Sequence, residues 1–194
     1  MNDSMNHTKG TFVVLLGVSG VGKSTIIRRI LDTSQEFVYV KPYMTRPLRD
    51  GETEKISVSN NEFDAMQARG DFLVVNEHYG FKYGTPKNSI ISIIESGKTP
   101  ILDYQLSTIE NLQNDAYSLL TIYIRPDSID EWHDRLKQSE QYDESRFELG
   151  KNELEKIISG QINNVDEIVV NKDGDIEKVT DKVLDIIQLK RRGL

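Results

Sequence analysis

The run Gly17-Val18-Ser19-Gly20-Val21-Gly22-Lys23-Ser24-Thr25 satisfies every fixed position of the phosphate-binding pattern G-x-x-x-x-G-K-[ST]. Glycines at 17, 20 and 22 let the backbone turn successive N–H groups toward an anion, with no Cβ in its path. The helix that follows adds the partial positive charge of its N-terminus. Lys23 is placed to reach the β- and γ-phosphates of a nucleoside triphosphate, and the Ser24 hydroxyl to complete the coordination of Mg²⁺. Ser19 and Thr25 belong to the same cradle. The chemistry these residues imply is the gripping of a nucleoside triphosphate.

A second set lies further along, in Tyr43-Met-Thr-Arg-Pro-Leu-Arg-Asp-Gly-Glu52, where Arg46 and Arg49 stand three apart around a proline turn with Lys41 near. Bidentate arginine is the side chain suited to holding a second anionic group against a γ-phosphate. Phosphoryl transfer to a small phosphorylated acceptor needs both sets at once.

The elements that must position them can be read from periodicity. Thr11 to Leu16 is β-branched and apolar, as a buried parallel strand should be, and Ser24 to Leu31 continues with helical spacing. Further strands are expected over Phe37 to Lys41, Thr99 to Tyr104, Leu119 to Arg125 and Glu167 to Asn171. Capping-box patterns at Ser107/Glu110 and Ser128/Glu131 predict helices running to about Asn114 and Leu136. Ile176, Val179, Val183, Leu184, Ile186 and Ile187 form one apolar stripe on a closing helix from Ile176 to about Lys190. Strands alternating with helices imply an α/β fold, a parallel sheet flanked by helices with its ligands at the carboxyl ends of the strands.

Two stretches break this rhythm. Between Pro42 and Asn88 the chain is polar, turn-rich and short-stranded, with Asn61 to Ala68 as its one good helix, and reads as an inserted acceptor-binding subdomain over 42–88. Lys137 to Lys151 is almost wholly charged and polar and sits between two helices, which suits a lid over the phosphates, because phosphoryl transfer needs water excluded. The expected organisation is therefore a leader over 1–10 and one domain over 11–194, whose core is 11–41 and 89–194.

Composition limits the partners. The 194 residues carry a net charge of −7, so no general attraction to nucleic acid or an anionic membrane is available. Cysteine is absent, which removes disulfides, thiolate metal sites and cysteine nucleophiles, and suits the cytoplasm. His7, His78 and His133 show no ligand-like spacing. No apolar run approaches a membrane span, and Met1 to Lys9 lacks the apolar core of a signal peptide.

With those motifs in hand, the chain resembles the guanylate kinase family from residue 11 to 190. The likeness is carried by the phosphate loop, Thr-Arg-Pro-Leu-Arg-Asp-Gly-Glu, the Tyr83-Gly84-Thr85 triplet, Ile-Leu-Asp103 and the late Val-Val-Asn171-Lys-Asp173. The resemblance implies a P-loop nucleoside monophosphate kinase fold using ATP and Mg²⁺. In such a fold Arg46, Arg49 and Tyr83 would hold the acceptor phosphate, and Thr85 and Gln105 would belong to the same substrate site. Asp103 would organise Mg²⁺ and its waters, and Asn171 and Asp173 would lie beside the adenine of ATP. Guanylate kinases contact guanine through polar residues where this chain has Pro42, about Lys55, Val74 and Gln105, so base specificity is expected to be altered. The loop from Gly51 to Ser59 is shorter than theirs and, like Gly80-Phe-Lys-Tyr-Gly-Thr-Pro86, is similar to the ribose 1,5-bisphosphate phosphokinases, which makes a phosphosugar the alternative acceptor. The usual Arg-Gly pair of the lid is replaced near Ser139-Glu140, leaving Arg146 and Arg135 to meet the transferring group. A catalytically weak binding module on the same fold is a further alternative, against which the intact Lys23 and Ser24 argue.

Overall fold

Thr11–Leu16 (β1) lies at the centre of the molecule, with all six residues buried. A computed structural model describes residues 10–78, 80–104, 106–113, 115–138, 142–172 and 175–192. After β1 the chain forms the phosphate loop and then Lys23–Thr33 (α1), whose Ile26, Ile27 and Ile30 point into the core. Phe37–Tyr39 (β2) follows, and it stops short of Lys41 because the chain turns away there into a second sheet. That sheet is made of Tyr43–Met44 (β3), Ile56–Ser57 (β4), Phe72–His78 (β5) and Phe81–Pro86 (β6), with Asn60–Ala68 (α2) between β4 and β5. The α2 N-terminus is set by the Ser59 hydroxyl, which accepts from Glu62 N at 3.2 Å.

The chain returns to the core through Lys87–Glu95 (α3), Thr99–Asp103 (β7), a 3₁₀ turn over Leu106–Leu112 and Ser118–Pro126 (β8). Ile129–Lys137 (α4), Glu144–Ile158 (α5), Glu167–Asn171 (β9) and Ile176–Arg191 (α6) complete it. The core sheet has the order β2-β7-β1-β8-β9, and all of its pairings are parallel. Helices α1 and α6 pack on each other and on the sheet, α3 lies against β7 and β1, and α4 against β8. The α/β class and the parallel sheet flanked by helices are as the alternation of elements implies.

Two expectations need correction. The stretch opening at Ser107 is a 3₁₀ helix rather than an α-helix, because Leu106, Ile109 and Leu112 are the buried residues and a three-residue repeat stacks them on one face. Its expected end at Asn114 lies outside the described residues. Of the stretch 137–151 expected to bridge two helices, the part from Glu144 onward is already α5. Asp143 caps that helix by accepting from Arg146 N at 3.0 Å, and Phe147 anchors it by burial. Ser139 and Glu140 lie outside the described residues. By contrast the Ser128 cap forms as expected, accepting from Glu131 N at 3.3 Å.

The inserted sheet has the order β4-β3-β6-β5; β6 runs antiparallel to both β3 and β5, whereas β3 and β4 are parallel. Phe72 closes its outer side, stacking on Phe63 of α2 with ring centroids 4.6 Å apart and covering Gly84 so closely that a Cβ there would lie 2.7 Å from the ring.

Candidate active site

The loop between β1 and α1 depends on its glycines. Gly17 has φ 135°, and a Cβ on it would lie 2.2 Å from the Ile124 carbonyl oxygen of β8, so this position admits no side chain. Gly22, with φ 99°, precedes α1, and a Cβ there would meet the Asn171 amide nitrogen at 2.6 Å. That amide donates to Val21 O at 2.8 Å from a buried position at the end of β9. The Asn171 side chain braces the loop from beneath. Asp173 and Gln105 lie outside the described residues.

Lys23 folds back over the loop and donates to Gly17 O at 2.6 Å and Val18 O at 3.0 Å. Burial lowers its pKa, and the nearby carboxylates of Asp103 and Glu153 oppose that only in part. An ammonium poorly compensated in this way is a site for an anion. Ser24 and Thr25 are exposed on the first turn of α1, facing away from the apolar core.

Register places Asp103 beside the loop, since it pairs with Leu15 across β1 and β7. One carboxylate oxygen of Asp103 accepts from the Tyr39 hydroxyl at 2.8 Å. Burial first, and then Asp103, push the Tyr39 phenol up, so it remains a donor that aims this carboxylate. The Ser24 hydroxyl and the Asp103 carboxylate are hard oxygen donors of the kind Mg²⁺ selects, so this pair fits that ion.

Helices α4 and α5 cover the loop from the other side. Trp132 is buried and donates its indole N–H to Ser19 O at 2.8 Å; Leu136 lies against Gly20. Gly150 on α5 lets that helix approach, since a Cβ there would come within 2.8 Å of the Trp132 ring and 3.3 Å of Val18. Arg146, at the start of α5, reaches Ser19 Oγ with a guanidinium nitrogen at 3.4 Å. Arg135 stays half-buried in the last turn of α4. The structure thus brings Arg146 to the loop.

The second cradle is built around Glu52. An Arg46 terminal nitrogen contacts both carboxylate oxygens, at 2.7 and 2.8 Å. The Arg49 backbone N–H donates to Glu52 at 3.1 Å and the Lys55 ammonium at 3.0 Å. Arg46 and Glu52 side chains are each 13% exposed. Burial by itself would push the Glu52 carboxyl up, but the hydrogen bonds from Arg46, Arg49 and Lys55 outweigh it and bring the pKa to about 2. Arg46 is raised, chiefly by its hydrogen bond to Glu52 and secondarily by one to Tyr83. Its Nε is buried and without a partner, a donor left unused. Lys55 and Glu52 were not expected in this role; the only sequence signal was their closeness to Arg46 and Arg49.

Since the folded pKa of Glu52 is depressed, the stability it contributes is fully present above its ordinary value of 4.5 and is lost as pH falls toward about 2. Unfolding free energies of the wild type and Glu52→Gln, measured from pH 6 down to about 2, are expected to converge over that window. A gap that stays constant with pH would show that the pairing is not what holds the insert.

The two cradles meet where Tyr104, the residue after Asp103, crosses from the core to the insert. Its hydroxyl accepts from Asn76 Nδ2 of β5 at 3.0 Å and from Thr85 Oγ1 of β6 at 3.1 Å. Thr85 is buried here, as Val74 is. Neither Asn76 nor Tyr104 was singled out by sequence; their isolated types carry no motif.

This geometry has known counterparts. The family model for guanylate kinase matches residues 9–190. The chain belongs to the guanylate kinase family. A guanylate kinase of Nostoc sp. is 32% identical over 157 residues, covering 77% of this chain and 79% of that relative. One from Trichormus variabilis is 35% identical over 135 residues, covering 68% of each. The crystal structure of guanylate kinase from Anaplasma phagocytophilum shares the fold, with a TM-score of 0.71 over 95% of this chain and 87% of that one, at 20% identity. Among this guanylate kinase family member's described residues no helix is long and apolar enough to cross a membrane.

Proposed function

We propose that the protein is an ATP-dependent nucleoside monophosphate kinase of the cytoplasm, moving the γ-phosphoryl group of ATP onto the phosphate of GMP to give GDP. The observation that carries this is the Tyr104 junction, which joins a wall of the insert to the strand end beside the phosphate loop. A phosphate donor on the loop and an acceptor on that wall would share one cleft.

In this reading the backbone N–H groups from Gly17 through Gly22 cradle the triphosphate, with Ser19, Ser24 and Thr25 at its margin and Asn171 bracing the loop. Lys23 leaves its two carbonyl partners for the β- and γ-phosphates. Ser24 and Asp103 would hold Mg²⁺, which supplies charge neutralisation across the phosphates when bound. Arg46 uses its free Nε, and Arg49 and Lys55 their side chains, to hold the acceptor phosphate, with Tyr83 alongside. Arg146 and, from α4, Arg135 would spread the charge of the transferring group. No covalent protein intermediate is needed; alignment and electrostatics suffice.

The test is a coupled assay of ADP formation with Mg-ATP and, one at a time, GMP, AMP, UMP, CMP and ribose 1,5-bisphosphate. GMP is expected to drive turnover. Consumption of the sugar bisphosphate alone would overturn the nucleotide reading, and nucleotide binding without turnover on any acceptor would favour a binding module.

A further inference from the structure

Helix α5 lies along the phosphate loop with residues of one face. Arg146, Gly150 and Glu153 follow one another at helical spacing, four and then three residues apart. Arg146 reaches Ser19 Oγ at 3.4 Å, and Gly150 lets the helix close on Val18. Glu153 stands at the root of the loop, where its carboxylate accepts from the Tyr123 hydroxyl at 2.6 Å. Tyr123 pairs with Leu16, the last residue of β1 before Gly17, so register fixes this bond beside the point where the loop leaves the sheet. The helix thus sets a cation against the middle of the loop and a carboxylate against its root.

A carboxylate is an unexpected neighbour for a phosphate site. Tyr123 is buried, and burial first and then Glu153 push its phenol up, so it stays a donor that holds the carboxylate in place. Among the described residues no lysine or arginine pairs with Glu153, so a neutral phenol holds it and its charge is left uncompensated. Lys23 feels that charge from the other side, since Glu153, after Asp103, supports its ammonium against burial. Arg146 and Glu153 are seven residues apart, a rise of about 10 Å. Phosphates bound along that span would lie within about one Debye length of Glu153, in a partly buried place where charges are screened less.

Resting on the kinase reading above, we infer that Glu153 is the residue that limits how tightly the loop holds its nucleotide. In the empty loop the carboxylate faces the Lys23 ammonium, which is favourable. A bound nucleotide takes that ammonium for its phosphates and sets negative charge before the carboxylate. Glu153 therefore stabilises the empty loop and opposes the filled one, and both effects lower affinity. Arg146, on the same face of the same helix, acts in the opposite sense. The consequence for a turning-over enzyme is that ADP is not retained, since product release limits the rate of many enzymes that close over their substrates.

The experiment measures the dissociation constants of ATP and ADP by calorimetry for the wild type, Glu153→Gln and Glu153→Asp, without Mg²⁺ and at about 50 and 500 mM salt. Glutamine keeps an acceptor for Tyr123 and removes the charge; aspartate keeps the charge on a shorter stem. Glu153→Gln should bind both nucleotides about three- to tenfold tighter at the lower salt, with ATP, the more highly charged, gaining more. That gain should shrink at the higher salt. Glu153→Asp should stay within about twofold of the wild type, because a carboxylate is still present. Unchanged or weaker binding by Glu153→Gln overturns the inference, since a residue that merely anchored α5 would loosen the site when altered. So does Glu153→Asp moving in step with Glu153→Gln, which would make the Tyr123 bond and not the charge the cause. A wild type that binds neither nucleotide overturns the kinase reading itself and takes the inference with it.

Discussion

Lys23→Ala is expected to lower phosphoryl transfer by about 10²- to 10³-fold or more, because one preorganised charge contact at the transferring group is removed. The melting temperature should not fall. Among the described residues the Lys23 ammonium donates to two loop carbonyls, Gly17 O and Val18 O, and burial already disfavours its charge in the free protein. Losing that ammonium relieves a desolvation cost at the same time as it removes two hydrogen bonds. Turnover by the coupled assay and unfolding by circular dichroism would be read on the same preparation. A folded variant keeping more than about a tenth of wild-type turnover would show that the loop does not work in this way.

Arg46→Ala should act on the other half of the cleft. The kcat/KM for the acceptor is expected to fall between about tenfold and a few hundredfold, the range for losing hydrogen bonds to a charged group. The ATP dissociation constant, measured without acceptor, should hardly move, since Arg46 is tied to Glu52 on the insert. Arg46→Lys keeps the charge but not the planar fork, and should recover only part of the loss. This variant also tests the Glu52 arrangement: with Arg46 gone, a largely buried carboxylate keeps only Lys55 and the Arg49 N–H, so the insert should lose stability in the alanine variant and less in the lysine one. Equal weakening of ATP and acceptor binding would place Arg46 on the wrong ligand.

The parts of this molecule legible in sequence are those whose determinants are local. The phosphate loop depends on glycine dihedrals and the strand and helix beside it, and β1 is a run of apolar residues buried throughout. The Ser128 cap and the apolar stripe of α6 are likewise written within a few residues. The insert is different. Strands β3 and β4 are two residues each and exist because a partner strand is present, which no local pattern announces. Helix α5 was hidden by its charge: only Phe147, Leu154 and Ile157 are buried, and Phe147 matters because Trp132 is there to receive it. In the site, Lys23 and Arg46 were found by type and spacing and Asp103 through the family resemblance, whereas Asn76, Tyr104 and Trp132 act through contacts between segments far apart in the chain. The bracing role of Asn171 was missed for the same reason, since its partner lies 150 residues away.

Trp132 is the chain's only tryptophan. Its indole N–H is bonded to the phosphate loop at Ser19, one edge faces Gly150 of α5, and its ring lies 5.2 Å from that of Phe147. Excited at wavelengths that tyrosine does not absorb, the protein's emission therefore comes from a single fluorophore in contact with both the phosphate loop and α5. Occupancy of the loop and the position of α5 become spectroscopic quantities, open to stopped-flow recording on the unlabelled wild-type chain.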